Sequence, residues 1–262
     1  MPEGHELASA RSNVVRVGDV VHRAAGPWSA SVQALLRHLE AAGFAGAPRV
    51  VGTGFDDAGR ETLTFIPGDF VHPHPWSDEG IAAVGALLRE LHEASRSFTP
   101  PPDAAWQPWF TRDASSAVFG HGDVGPWNIV ARDGVPVALI DWEFAGPVDR
   151  LDEVAHGAWL NCQLHDEIVA ARNDLPSPEE RARQLRLFAD GYGLDAGERA
   201  GLVSRMIDFA VRDAANEIDE PGALKMAKRP TGPDDAGWGV AWRVRSAHWL
   251  VRHRELLTAA LR

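Results

Sequence analysis

Residues 119–130 read FGHGDVGPWNIV and residues 139–152 read LIDWEFAGPVDRLD; these two blocks decide the fold. In the first, Gly122, Gly125 and Pro126 set the backbone path of a loop that runs straight into a strand, Asn128 to Ala131, and hold His121, Asp123 and Asn128 between them. The Asp133-Gly134 turn separates that strand from a second, Pro136 to Asp141, in which apolar Leu139 and Ile140 precede Asp141. Adjacent strands place Asn128 beside Asp141. An amide oxygen and a carboxylate converging at strand ends form a hard, partial oxygen shell, which suits Mg2+ that keeps waters and takes its other ligands from phosphates. Asp123 is not needed for that shell, so it is the candidate to orient an acceptor hydroxyl and receive its proton. That division of labour is phosphoryl transfer. An isolated Asp at a strand end is usually a turn former or a helix cap, so the combination carries the argument.

Upstream, Val14, Val15 and Val17, then Val20 and Val21 across Gly18-Asp19, spell a hairpin. After Gly26-Pro27, Ser29 or Ser31 is expected to cap a helix carrying Val32, Leu35, Leu36 and Leu39 and ending near Gly43. Strand-like runs follow at Arg49 to Gly52 and Glu61 to Ile66, closed by Pro67-Gly68. From Trp76 the chain turns helical: Ser77 is expected to cap a helix with Ile81, Val84, Leu87, Leu88 and Leu91 on one face, and Asp78 and Glu79 at its positive end. Beyond Asp149 the pattern is helical, broken at Pro176 to Pro178, Gly191 to Gly197 and Glu220 to Gly239.

Composition bounds the setting. The 262 residues are 45% hydrophobic, enough for one large core or two lobes and too much for a disordered or fibrous chain. A single cysteine, Cys162, excludes an internal disulfide and points to a reducing cytosol. Residues 1–13 carry neither a basic leader nor an apolar run, so the expected location is cytoplasmic, with no membrane partner. The net charge of -11, concentrated in the middle of the chain, argues against nucleic acid and suits a cation, although a solvated acidic surface explains it equally well.

The HGDxxPxN pattern at 121–128 and the IDW segment at 140–142 resemble the aminoglycoside phosphotransferase and choline kinase-like phosphotransferase family, relatives of protein kinases. The resemblance implies an α+β, two-lobed protein-kinase-like fold: a small β-rich nucleotide-binding lobe over residues 1–68 and a larger, mostly helical catalytic and acceptor-binding lobe over 69–262. It implies an enzyme that moves the γ-phosphate of ATP, or of GTP, to a hydroxyl of a small molecule with Mg2+. The acceptor expected first is an aminoglycoside-like or other hydroxylated antibiotic, with antibiotic resistance, self-immunity and metabolism all open as the role; choline, a sugar or an amino alcohol come next, and a catalytically silent binding or immunity protein is the rival. By the same resemblance Asp123 is the catalytic base and His121 braces its loop. Asn128 and Asp141 are the Mg2+ ligands, Asp152 supports the helical lobe, and the backbone of Thr64, Phe65 and Ile66 meets the nucleobase.

Two departures stand out. Kinase-like enzymes hold phosphates with a strand lysine paired to a glutamate of the next helix. Here Arg23 stands in the lysine position and Gln33 where the glutamate is expected, which leaves Arg23 without a partner charge until nucleotide arrives; both lysines, Lys225 and Lys228, lie late in the chain. Arginine can hold phosphate through a planar bidentate fork. The phosphate loop, ASARSN at 8–13, has no glycine, so Ser12 and Asn13 are the residues left to turn it over the phosphates. Glu143, two residues after Asp141, suits either a supporting role on the same side of an extended segment or plain exposure. Trp106, Trp109, Trp127, Trp142, Trp159, Trp238, Trp242 and Trp249 read as core packing, with a few available to an acceptor pocket. Asp208, Asp213, Glu217, Asp219 and Glu220 suit a cationic acceptor or a solvated helix face.

Overall fold

The computed structural model describes residues 5–7, 14–108, 118–218, 232–233 and 237–262. Their contacts divide into two units, each treated by itself: the described parts of Met1–Phe70, Leu87–Val124 and Asn128–Arg150 form the first, and those of Val71–Ala86, Gly125–Trp127 and Leu151–Arg262 the second.

The first unit is built on an antiparallel sheet of β1 (His5–Leu7), β2 (Val14–Val17), β3 (Val20–Arg23), β4 (Val50–Phe55) and β5 (Glu61–Thr64), in the order β1-β2-β3-β5-β4. The hairpin closes across Gly18-Asp19 with Val17 opposite Val20. Between β3 and β4 runs α1 (Ser29–Ala41), whose apolar face of Val32, Leu35, Leu36 and Leu39 is fully buried. Neither expected serine caps it. Ser29 is the first helical residue and its hydroxyl accepts from Gly26 N–H, while Ser31 accepts from Ala105 N–H, so both oxygens serve the loops around the helix.

Two smaller antiparallel pairs complete this unit. β6 (Val118–Gly120) pairs β9 (Gly146–Val148), and β7 (Ile129–Arg132) pairs β8 (Val135–Leu139). The β7–β8 hairpin is held on both flanks: Ala131 exchanges two main-chain hydrogen bonds with Asp69, and Leu139 N–H donates to Gly46 O. Both strands stop short of the residues that matter. Asn128 lies in a 3-10 turn, Pro126–Asn128, and Asp141 follows the last β8 residue by two, at the entrance to a second 3-10 turn, Trp142–Phe144.

The second unit is helical. α2 (Asp78–Ser95) starts as expected, Gly80 N–H donating to Ser77 Oγ, and its N-terminal part belongs here. The remaining helices are α3 (Arg150–Asn161), α4 (Glu167–Arg172), α5 (Pro178–Tyr192), α6 (Ala196–Ile218), α7 (Trp238–Arg252) and α8 (Arg254–Ala260). α5 opens with a reciprocal Ser177–Glu180 capping box and Pro178 at its start, which satisfies N–H groups the helix cannot. α3 is the centre of this unit: Val154, Ala155, Ala158 and Trp159 are wholly buried. α2 and α5 touch backbone to backbone, since a Cβ at Gly191 would lie 2.0 Å from Ala82 O and one at Gly85 2.3 Å from Phe188 O. No helix among the described residues is long and apolar enough to cross a membrane.

Candidate active site

His121 anchors the site loop. It is fully buried, its Nε2 lies 2.8 Å from Ile140 O, and Asp123 N–H donates to its Nδ1 at 3.2 Å. The two contacts assign the neutral tautomer with the proton on Nε2, because Nδ1 is the acceptor. The ring also meets Trp142 edge-on at 4.8 Å. His121 therefore ties the loop to the segment bearing Asp141. Gly122 makes this path possible: its φ is +80°, and a Cβ there would stand 2.0 Å from Phe144 O.

Asp123 is half-buried, and its carboxylate accepts from Asn128 Nδ2 at 2.9 Å; the same nitrogen donates to Asp123 O at 3.0 Å. With its nitrogen committed, the remaining acceptor of Asn128 is the amide oxygen. Main-chain pairing carries the set onward: Ile140 N–H donates to Asn128 O at 2.9 Å, which makes Asp141 the next residue along. Asp141 adopts a left-handed conformation, φ +61° and ψ +63°, uncommon for a residue with a side chain and a frequent mark of functional positions. Its carboxylate is half-exposed and accepts from Arg23 Nη1 at 2.8 Å.

Arg23 ends β3 and is buried, as is Glu61 directly opposite it on β5. Arg23 Nε donates to Glu61 Oε2, so the cation already has a partner charge. The expectation that Gln33 leaves it unpartnered is thus corrected: the anchor is a carboxylate on the neighbouring strand, and the Gln33 amide donates to Gly54 O at 2.8 Å. Sequence reading found both strands but not their pairing. The missed signal is an acidic residue opening one strand in antiparallel register with a basic residue closing the other.

The oxygen donors fit the expected metal in kind. The Asn128 amide oxygen and the Asp141 carboxylate are hard ligands and only two in number, the pattern of a Mg2+ site completed by phosphate oxygens and water. Among the described residues no group of three or more His, Cys, Asp or Glu side chains could hold a metal alone. Of the three residues expected to meet the nucleobase, Thr64 N–H donates to Arg49 O and Phe65 N–H to Asp19 O, both at 2.8 Å. Ile66 N–H makes no main-chain hydrogen bond to the described residues. Ser12 and Asn13 lie outside the described residues.

Other readings change. Glu143 sits in the 3-10 turn, not on an extended segment, so it does not share a side with Asp141 by alternation. Asp213 and Glu217 are neither a solvated face nor vacant carboxylates: Arg243 from α7 reaches Asp213 Oδ2 at 2.6 Å and Glu217 Oε2 at 3.2 Å. Asp208 is exposed, and Asp219 and Glu220 lie outside the described residues. Asp152, at the start of α3, receives Arg205 at 2.7 Å and Arg212 at 2.9 Å from α6, which joins two helices of the second unit. Trp142, Trp159 and Trp249 are core residues, whereas Trp127 is exposed.

Residues 102–201 match the model of the Phosphotransferase enzyme family. The chain is 53% identical over 254 residues, 96% of its length and 95% of the relative's, to the trifolitoxin immunity protein of Rhizobium leguminosarum bv. trifolii. Its fold is similar to that of a choline/ethanolamine kinase family protein from Mesorhizobium loti, at TM-score 0.57 and 15% identity over 99% of this chain and 92% of that one. It is also similar to that in the streptomycin-ATP-APH(2")-IIa ternary complex, at TM-score 0.55 and 13% identity over 83% and 86%.

Proposed function

The chain belongs to the phosphotransferase enzyme family of kinase-like fold, and from that premise we propose that it transfers the γ-phosphoryl group of ATP to an alcohol hydroxyl of a small molecule, with Asp123 as the base. One observation carries this reading. Asp123, Asn128, Asp141 and Arg23 form one connected set, from carboxylate to amide, through the Asn128–Ile140 main-chain bond, to carboxylate and guanidinium.

In the proposed step the acceptor oxygen bonds to the γ-phosphorus, the bond from that phosphorus to the β,γ-bridging oxygen breaks, ADP leaves, and the hydroxyl proton passes to the Asp123 carboxylate. Asn128 holds that carboxylate in place, so the base is oriented before substrate arrives. Arg23 holds phosphate oxygens through its guanidinium. Asn128 and Asp141 would hold Mg2+, which when bound neutralises charge on the phosphates.

The acceptor we propose is a hydroxyl-bearing toxin or antibiotic. The support is the relative's name as an immunity protein together with the family's chemistry, since phosphorylating a toxin hydroxyl is a means of protection. The same name favours a second reading, a catalytically silent immunity protein that retains the fold.

Thermal shift with ATP or GTP, with and without Mg2+, on the wild type and Asp141→Ala separates the two, because a ligand that binds only the native state raises its melting temperature. A Mg2+-dependent rise that the variant loses is expected. No rise with either nucleotide sinks the enzyme reading and leaves the silent one.

A further inference from the structure

We propose that Glu61 is the positioning residue for Arg23, so that the phosphate-holding cation is locked strand to strand and helix α1 takes no part in assembling it. The inference rests on the phosphotransferase reading and goes beyond it, because it assigns a task that kinase-like enzymes give to the helix.

Arg23 and Glu61 face each other in the register of β3 and β5, and their exposures are 8% and 1%. A buried charge persists only with a counter-charge and hydrogen bonds, so neither residue is incidental to the other. The guanidinium is planar and its donors are fixed relative to one another. Once Nε is held by Glu61 Oε2 and Nη1 by Asp141 Oδ1, the plane and rotation of the fork are set. Nη2 is then left buried with no hydrogen-bond partner among the described residues, as is Glu61 Oε1. A buried donor without an acceptor is costly, and a phosphate oxygen is the acceptor that the proposed substrate brings. An ammonium has no such plane, which accounts for arginine here: one side chain engages Glu61, Asp141 and phosphate together.

On the helix side, Gln33 is committed elsewhere. Its amide nitrogen donates to Gly54 O on β4, and it contributes no charge. A shift of α1 would therefore leave the Arg23–Glu61 pair intact, because both of its members are in the sheet.

The test is titration calorimetry of MgATP and of adenosine on the wild type, Glu61→Gln and Gln33→Ala. Glu61→Gln is expected to weaken MgATP at least tenfold and adenosine less than twofold, since only phosphate depends on the cation; Gln33→Ala is expected to change neither by more than twofold. Equal weakening of both ligands by Glu61→Gln means a merely structural role, and unchanged MgATP affinity means no role; either overturns the proposal. So does a loss of MgATP affinity in Gln33→Ala matching that in Glu61→Gln. Should Glu61→Gln fail to fold, Glu61→Asp, which keeps the charge and draws it back by one methylene, is read in the same way. Absence of MgATP binding in the wild type instead overturns the phosphotransferase reading itself, and this inference falls with it.

Discussion

The Asn128 amide nitrogen donates to both the main-chain carbonyl and the carboxylate of Asp123, at 3.0 and 2.9 Å. One side chain thus fixes the backbone and the carboxylate of the same residue, which gives the proposed base a set orientation. Asp123→Asn removes the proton acceptor with almost no change of shape. Turnover is expected to fall ~10²–10⁴-fold or more, with nucleotide affinity nearly unchanged. The check is steady-state kinetics beside equilibrium binding; full activity in the variant would falsify the assignment.

Gly122→Ala tests the loop without touching a charged group. The new methyl meets Phe144 O at 2.0 Å in a backbone conformation that already disfavours a side chain. A loss of about 2 kcal/mol or more is expected. In a chain of this size that lowers the melting temperature by roughly 4–8 °C, measured by circular dichroism. An unchanged melt would mean that the loop has another path available.

His165 makes stability depend on pH. Burial, with smaller contributions from Arg181 and His72, lowers its pKa from 6.5 to about 3. The folded state therefore resists the proton that the unfolded chain accepts, and stability falls as pH drops from about 6.5 toward about 3. At pH 5 the loss from this one group is about 2 kcal/mol. His165→Phe keeps a ring against Trp159 and Trp242 and is expected to flatten the dependence between pH 7 and 5. Parallel wild-type and variant curves in urea denaturation would remove His165 as the cause.

Arg243→Ala leaves the Asp213 carboxylate buried without its 2.6 Å partner, and burial already raises that carboxyl's pKa. Breaking a buried pair from one side costs about 3–5 kcal/mol. Arg243→Ala combined with Asp213→Asn is expected to lose clearly less than Arg243→Ala alone, because the uncompensated charge is gone. Equal losses in chemical denaturation would show that packing of the Arg243 stem, not charge, is what matters.

Much was legible along the chain because it is local. Turn residues gave the β2–β3 and β7–β8 hairpins, apolar spacing gave α1 and α2, and the polar set around Gly122, Gly125 and Pro126 marked the loop. β1, β6 and β9 escaped because each is three residues long, too short for alternation to register. The two serines of the first turn of α1 misled because a hydroxyl that suits an N-cap suits a neighbouring loop equally, and the distant Ala105 decides for Ser31.

The sequence by itself determined the residue types of the site, their order and their family, since loop chemistry and turn residues act within a few positions of each other. Only the tertiary structure decided which charge answers which. Glu61 and Arg23 are 38 residues apart, Asp141 and Arg23 are 118 apart, and strand register alone brings the first pair face to face. Arg243 likewise reaches Asp213 across 30 residues, so a carboxylate that looked open to a cation is already paired. Composition counts such charges, but pairing depends on a fold that must satisfy every one it buries.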